Sequence, residues 1–478
     1  MSINKNILSK EGYLIHKKAN KNIIQEIKDE LTVTPYLPFN KNIKPEAFPV
    51  YLENEKYLCA PKYYGLQKLG NPTINKELTG LSANIIFNGK LRSNQLDIVN
   101  IVLSKMEKHD GGLLSLGCGQ GKTVLALYIA SILKVKTLVI VHKSFLLNQW
   151  LQRAKEFTNA NIGIIQQNKI DIDGKEIVIG MLQSISKDKY DSDIFRDFGL
   201  VIFDEAHHAP SKYFSKALPI IACKKTLALS ATPNRTDKLE KVLYWYFGDI
   251  LYKAPTETIN NVLVKIIKYN IKHPNFKEYK QNYGQDINRP KTINKLIQIE
   301  KRNTFIIDNI KEILEEDQRK ILVLSDRIEH LTILTGLLNQ QLDVTTSFYI
   351  GGLKQKVLDE AEKAQVIFAT YSMASEALDI QELNTLLMVT PRKEVEQAVG
   401  RITRKKDHPV QPLIIDLVDQ LPSFARQSIY RRKFYNKKSF ITKLIEVEEN
   451  EIINETNELI INSKSEKECE KESDFFID

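Results

Sequence analysis

From about residue 110 the chain repeats one pattern: a short apolar run, then a segment of helical period. The runs Gly112–Leu116, Thr137–Val141, Ile177–Gly180, Leu200–Phe203 and Thr226–Leu229 are nearly free of polar residues, which predicts strands covered on both faces. Between them Lys122–Leu133 and Phe145–Phe157 predict helices. Strands alternating with helices form βαβ units and a parallel sheet. A lysine- and asparagine-rich stretch from about 254 to 300 breaks the alternation, and its composition predicts a linker or surface insertion. The pattern then resumes with strands at Ile321–Leu324, Val366–Ala369, Thr385–Val389 and Leu413–Ile415, and helices at Arg327–Leu338 and Lys354–Lys363. The expected fold class is α/β, with two tandem parallel-sheet domains at 81–253 and 301–419.

The ends read differently. Residues 1–80 mix short apolar runs with Pro and Lys, as in Tyr57–Gly65, and carry no catalytic pattern; they predict an N-terminal accessory region. Residues 420–445 hold Arg426, Arg431, Arg432, Lys433, Lys437, Lys438 and Lys443 and no acid, interleaved with Phe424, Tyr430, Phe434, Tyr435 and Phe440. Two readings stay open for this basic aromatic segment. Its rings stack on unpaired bases while its cations neutralise phosphates, or they pack a closing helix onto the second domain. Residues 446–478 carry twelve acids against three lysines, which predicts a disordered acidic tail.

Composition narrows the class. The 478 residues are about three times a typical ~150-residue domain, which excludes a single small binding module. Hydrophobic residues at 42% and charged residues at 27% suit a globular chain. The formal charge of +9 averages over a segregation: without the acidic tail, residues 1–445 carry +18, which favours a polyanionic partner. The four cysteines, Cys59, Cys118, Cys223 and Cys469, form no CxxC pair and no disulfide framework, so a reducing compartment is expected. The N-terminus lacks a signal-peptide core, and no window approaches the ~18–20 apolar residues of a membrane span. The expected location is soluble and intracellular.

The chemistry sits where the strands end. Leu116-Gly117-Cys118-Gly119-Gln120-Gly121-Lys122-Thr123 joins an apolar run to a helical pattern. Such a turn offers successive backbone N–H groups and a helix N-terminus to phosphates; Lys122 reaches the β- and γ-phosphates of ATP and Thr123 ligates Mg²⁺. Leu200–Phe203 ends in Asp204-Glu205-Ala206-His207, carboxylates at the edge where α/β sheets bind ligands. Asp204 is assigned to Mg²⁺ and Glu205 to the attacking water. His207 and His208 diverge as adjacent side chains and have no further ligand nearby, so a zinc site is not expected. Ser230-Ala231-Thr232-Pro233 follows the next strand, and its hydroxyls are expected to couple to the acidic motif through His207. In the second domain Gln397, Arg401 and Arg404 fall at i, i+4 and i+7 of a helix starting near Lys393, a guanidinium face suited to charge on a γ-phosphate.

Together these motifs resemble superfamily 2 helicases and translocases, from about residue 91 to 419. The resemblance implies two RecA-like domains, ATP hydrolysis and a nucleic-acid track. By resemblance Gln95, in Leu91–Gln95, contacts adenine. His142 and Lys143 with Leu146, Gln149 and Trp150 form the first nucleic-acid motif, and Gly180–Ser184 forms the next. Thr370, Glu376 and Asp379 touch both backbone and nucleotide. Lys143, Ser184 and Thr370 are thus the implied nucleic-acid contacts. The Leu-x-Cys-Gly-x-Gly-Lys loop, Gln149-Trp150, the Asp204–His207 motif and Ala231–Asp237 resemble the branch of the xeroderma pigmentosum group B helicase and the poxvirus-type transcript-release helicases of large DNA viruses. The repair helicase's Arg-Glu-Asp is Arg235-Thr236-Asp237 here, so a damage-recognition role is not carried over.

The expected function is therefore an ATP- and Mg²⁺-dependent helicase or translocase, on DNA in preference to RNA, in viral transcription elongation, termination or transcript release. RNA polymerase is the expected protein partner, no membrane is involved, and the viral resemblance implies host cytoplasm, the virus factory and the virion. Three alternatives remain: an RNA helicase of the same superfamily, a P-loop ATPase that does not act on nucleic acid, and an inactive nucleic-acid-binding scaffold.

Overall fold

The structure is a computed structural model describing residues 6–36, 45–117, 119–187, 190–231, 235, 237–255, 261–281, 286–376, 378, 380–403, 405 and 408–458, with the backbone alone at 375, 376, 457 and 458. The chain divides into two compact units, Met1–Ala254 and Pro255–Asp478. No described helix is long and apolar enough to cross a membrane.

The first unit opens with a small sheet in the order Leu52–Glu53, Tyr57–Ala60, Gly12–His16, Ile7–Ser9, Ile74–Asn75. Helix α1 (Lys62–Leu69) lies on it so closely that a Cβ at Gly65 would sit 2.2 Å from the Tyr13 ring. Tyr13, Ile15, Leu58 and Tyr64 share one apolar core with Leu239 and Val242, and Tyr246 Oη donates to Val50 O at 2.8 Å. Residues 1–80 therefore pack into the first unit, and the expected boundary near residue 80 is not a break in its core.

After α2 (Ser93–His109) come β1 (Gly111–Ser115), α3 (Lys122–Leu133), β2 (Thr137–Val141), α4 (Ser144–Phe157), β3 (Ile162–Gln166), β4 (Lys169–Asp171), β5 (Ile177–Met181), β6 (Leu200–Phe203), β7 (Lys225–Ser230), α5 (Glu240–Phe247) and β8 (Ile250–Lys253). The sheet runs β4-β3-β5-β2-β6-β7-β1-β8, parallel except for β4. Strands β1, β2, β5 and β6 are buried at every position, as unbroken apolar runs require. The register sets Phe203 beside Ile140 and Ala228, and Ser230 beside Ser115, so the ends of β2, β6, β7 and β1 share one edge.

The second unit holds β9 (Leu263–Asn270), α6 (Arg289–Leu296), α7 (Glu300–Leu314), β10 (Ile321–Ser325), α8 (Ile328–Gln341), β11 (Thr346–Tyr349), α9 (Gln355–Ala361), β12 (Val366–Thr370), α10 (Tyr371–Glu376), β13 (Thr385–Met388), α11 (Glu396–Ile402), β14 (Leu413–Asp419), α12 (Pro422–Lys437), β15 (Ile441–Glu448) and β16 (Glu451–Glu458). Its sheet runs β11-β12-β10-β13-β14-β9-β15-β16, parallel except for β16. Both units have the layered parallel-sheet architecture expected of tandem RecA-like domains.

Three expectations change. The stretch 254–300 is not a linker: β9 is an interior strand between β14 and β15, and α6 covers the sheet. Its Lys265 and Lys268 lie half-exposed, with ammonium groups 3.4 Å from Glu312 and 3.3 Å from Glu446, while Val264, Ile266, Ile267 and Tyr269 are buried. Residues 420–445 form α12 and the start of β15, and Phe424, Tyr435 and Phe440 are core residues, so the closing-helix reading holds for these rings. The acidic segment is not wholly a tail: residues 446–458 finish β15 and form β16.

The second unit holds a fully buried ion pair. Arg302 Nε and Nη2 reach the two Asp419 carboxylate oxygens at 2.7 and 2.9 Å, and Nη2 also donates to Val389 O at 2.7 Å. Both side chains are 0% exposed. Removing one partner strands the other charge in the interior, at about 3–5 kcal/mol. Arg302→Leu is accordingly expected to lower unfolding free energy in denaturant titrations by about that amount; a loss below ~1 kcal/mol would show the pair is not an anchor.

Candidate nucleotide-binding and hydrolysis site

The loop after β1 is shaped by its glycines. Gly119 and Gly121 take φ of +75° and +83°, the left-handed region that disfavours side chains. A Cβ on Gly121 would also lie 2.5 Å from Gln95 Nε2. Gln95, buried in the first turn of α2, accepts the Arg92 N–H at 3.0 Å and donates to Gln120 O at 3.5 Å. Its amide thus joins α2 to the loop. By valence a second N–H and a second lone pair remain on that amide. Gln120 closes the turn from within, its Oε1 accepting the Gly117 N–H at 2.7 Å. Lys122 starts α3 and donates to Leu116 O at 3.2 Å, with Thr123 half-buried beside it. Cys118 lies outside the described residues.

Asp204 continues β6, its N–H donating to Ile140 O at 2.9 Å. The side chain is 6% exposed. Trp150 Nε1 donates to Oδ2 at 2.8 Å, and the Glu205 N–H donates to Oδ1 at 3.0 Å. Burial, reinforced by the Glu205 charge, pushes the Asp204 carboxyl up to about 6, while the Trp150 bond, the Lys122 charge and the Glu205 N–H pull the other way. Each oxygen carries one hydrogen bond and keeps a lone pair for a hard cation. With the Thr123 hydroxyl, that donor chemistry fits Mg²⁺, which takes few protein oxygens and completes its shell with phosphate and water.

Glu205 occupies the left-handed region, φ +46° and ψ +52°, a strained conformation for a non-glycine residue. The turn holds its carboxylate beside His207, with Oε2 3.4 Å from Nδ1. The same His207 nitrogen is 3.3 Å from Ser230 Oγ at the end of β7. Arg235 ion-pairs with Asp237 and donates to the His207 carbonyl. Lys122, Thr123, Asp204, Glu205, His207 and Ser230 are therefore all placed along one sheet edge. Thr232 lies outside the described residues.

Other residues land differently. Trp150, expected within a nucleic-acid motif, is 1% exposed and bonded to Asp204. Ser184 is also buried, and its hydroxyl accepts the Gln167 N–H at 2.9 Å, so the fold uses the group assigned to nucleic acid. Lys143 stays half-exposed at the N-cap of α4. In the second unit Thr370 ends β12 with its hydroxyl 3.4 Å from Ser372 Oγ. Helix α11 starts at Glu396 rather than near Lys393 and ends at Ile402, so the i+7 position lies beyond it. Gln397 is half-buried on it, and Arg401 is buried with Nη1 donating to Leu378 O at 2.7 Å. Asp379 and Arg404 lie outside the described residues. The roles of Trp150, Gln120 and Arg235 were missed. For Trp150 a signal existed: Leu146, Leu147, Trp150 and Ala154 form the sheet-facing stripe of an amphipathic helix.

A family profile described as the type III restriction enzyme res subunit matches residues 88–235. A protein of Acanthamoeba polyphaga mimivirus whose name describes an ATP-dependent RNA helicase, L396, is 37% identical over 447 residues, spanning 91% of this chain and 85% of its own. A protein of Invertebrate iridescent virus 6 named as helicase 161L is 27% identical over 379 residues, 75% of this chain and 83% of its own. Among solved structures, the ATP-dependent type ISP restriction-modification enzyme LlaBIII bound to DNA shares the fold, with a TM-score of 0.52 at 16% identity over 86% of this chain. This chain spans 33% of that enzyme.

Gly121→Ala tests the loop directly. Strain of about 1–2 kcal/mol in the left-handed region and the collision with Gln95 predict roughly a tenfold or greater loss in ATP affinity. Fluorescent-nucleotide titration is the measurement, and unchanged affinity would show that the loop does not cradle phosphate.

Proposed function

The chain belongs to the superfamily 2 helicases of large DNA viruses and is an ATP-hydrolysing nucleic-acid helicase; from that premise we propose a Mg²⁺-dependent translocase that tracks along DNA during viral transcription. The observation that carries the ATPase half is the convergence of the glycine loop, Lys122 and the Asp204-Glu205 pair on one sheet edge. Lys122 and the loop N–H groups of Gly117, Gly119, Gln120 and Gly121 hold the phosphates, with Cys118 in the same turn. Thr123 and Asp204 hold Mg²⁺, which when bound neutralises charge on the transferring phosphoryl group. Glu205, fixed by its strained turn, orients the attacking water and accepts its proton. His207 and Ser230, with Thr232, couple that carboxylate to the neighbouring strand.

Gln95 is assigned to adenine, and Gln397, Arg401, Arg404 and Asp379 to the second unit's share of hydrolysis. Lys143 and Thr370 are assigned to the sugar–phosphate backbone, which gives binding with little sequence preference. Ser184 is withdrawn from that set. DNA is favoured because the loop, the Gln149-Trp150 pair and the Asp204–His207 motif resemble the repair and transcript-release branch. RNA polymerase is the proposed partner, and the virus factory the proposed location. A second reading, an RNA helicase, is favoured by the name of the mimivirus relative.

Two measurements test this. Glu205→Gln is expected to lower kcat by roughly 10³-fold or more while ATP still binds, as loss of a water-activating group in phosphoryl transfer implies. Turnover within tenfold of wild type would remove Glu205 from the mechanism. ATPase rates compared without polymer and with single-stranded DNA, duplex DNA and RNA are expected to rise most with DNA. Stimulation by RNA alone would favour the second reading.

A further inference from the structure

Helix α4 carries Lys143 at its N-cap and Trp150 two turns later on its buried face. An α-helix rises about 1.5 Å per residue, so the Lys143 and Trp150 backbone positions are roughly 10 Å apart along one rigid element. The indole N–H only donates, and at 1% exposure it needs an acceptor. Its acceptor is the Asp204 carboxylate, at 2.8 Å. Packing alone does not require this group, because the other buried residues of the stripe are Leu146, Leu147 and Ala154. The bond is charge-assisted, favours the ionised carboxylate, and fixes the plane of the carboxyl group together with the Glu205 N–H.

Asp204 is thus held by one donor from its own turn and one from a separate helix. The turn donor moves with the strand, whereas the indole moves with α4. We propose that Trp150 is a positioning residue that couples nucleic-acid contact at the N-terminus of α4 to the orientation of the Asp204 carboxylate, and so to its capture of Mg²⁺. The proposal rests on the assignment of Lys143 to backbone phosphate and Asp204 to the cation. A shift of α4 on nucleic-acid binding then reaches Asp204 through a single hydrogen bond.

Trp150→Phe keeps an apolar aromatic ring, smaller than the indole, and deletes the donor. In the full chain its kcat is expected to fall with KM for ATP near the wild-type value. The Mg²⁺ concentration for half-maximal rate should rise roughly tenfold, in line with loss of a hydrogen bond to a charged group, and stimulation by DNA should be largely lost. A spectroscopic readout is independent of turnover. The chain has two tryptophans, so Trp245→Phe leaves Trp150 as its one indole. Its emission is expected to change on adding Mg²⁺ with ADP and again on adding duplex DNA, and Asp204→Asn in that background should abolish the Mg²⁺ response.

Wild-type stimulation ratio and Mg²⁺ requirement in Trp150→Phe would overturn the coupling while leaving the functional reading intact. If Trp150→Phe does not fold, an indole emission insensitive to DNA would overturn it, and a DNA-dependent change would support it. Absence of polymer stimulation in the wild-type protein would overturn the functional reading and the coupling together.

Discussion

A parallel sheet covered on both faces leaves one place for polar chemistry, the ends of its strands, and the rest of this structure follows from that constraint. Within β1, β2, β5 and β6 every side chain is buried, and no strand position there can present a carboxylate to water. The first polar groups beyond those strands are the glycine loop, His142 and Asp204, with Ser230 closing β7. Because the strands run in register, these residues from distant parts of the chain share an edge only a few strands wide. In the second unit Ser325 and Thr370 likewise close β10 and β12, while Asp416 within β14 and Lys265 and Lys268 within β9 lie mid-strand and are met by partners of opposite charge.

Buried carboxylates in and beside these strands meet two fates. Taking an ionised group out of water costs several kcal/mol unless a partner compensates it. Asp419 is met by the bidentate Arg302, and one oxygen of Asp416 accepts Arg431 Nε at 2.8 Å and Tyr435 Oη at 3.0 Å. Those guanidinium-paired acids tie helices α7 and α12 to the sheet. Asp204, by contrast, is met by neutral donors, the Trp150 indole and the Glu205 N–H, and burial pushes its carboxyl up to about 6. Neutral donors steer a carboxylate without cancelling its charge, which leaves Asp204 suited to a cation.

The strands were legible because continuous apolar runs leave little ambiguity: Thr137–Val141 and Leu200–Phe203 have the bounds their patterns predict. The glycine loop and the Asp204 motif were equally legible, since their chemistry depends on contiguous residues. What depends on tertiary partners was not. Trp150 lies next to Gln149 in a motif associated with nucleic acid, and nothing local tells an indole that faces solvent from one that faces Asp204. Ser184 has the same problem, its hydroxyl being taken by Gln167 in a turn whose strands the apolar pattern did not show. β9 was hidden by composition, because long lysine side chains can lie along a sheet and still reach an acid partner on a neighbouring helix or strand.

Charge segregation is reshaped by the same reasoning. Six of the twelve acids after residue 445 lie in β15, β16 and the turn between them. Several already have partners: Glu446 with Lys268 at 3.3 Å, Glu449 with the Lys272 N–H at 2.6 Å and Lys301 at 3.4 Å, and Glu455 with Lys443. Exposed pairs of this kind contribute little stability each, about 0–1 kcal/mol. Their effect is on the field. Acids held against the second unit's own lysines lower its positive potential locally and permanently, unlike a tethered polyanion that exchanges with nucleic acid. The +18 of residues 1–445 therefore overstates the positive charge around β9 and β15, whereas Arg426, Lys433 and Lys437, with no acid beside them in sequence, keep theirs on the exposed side of α12.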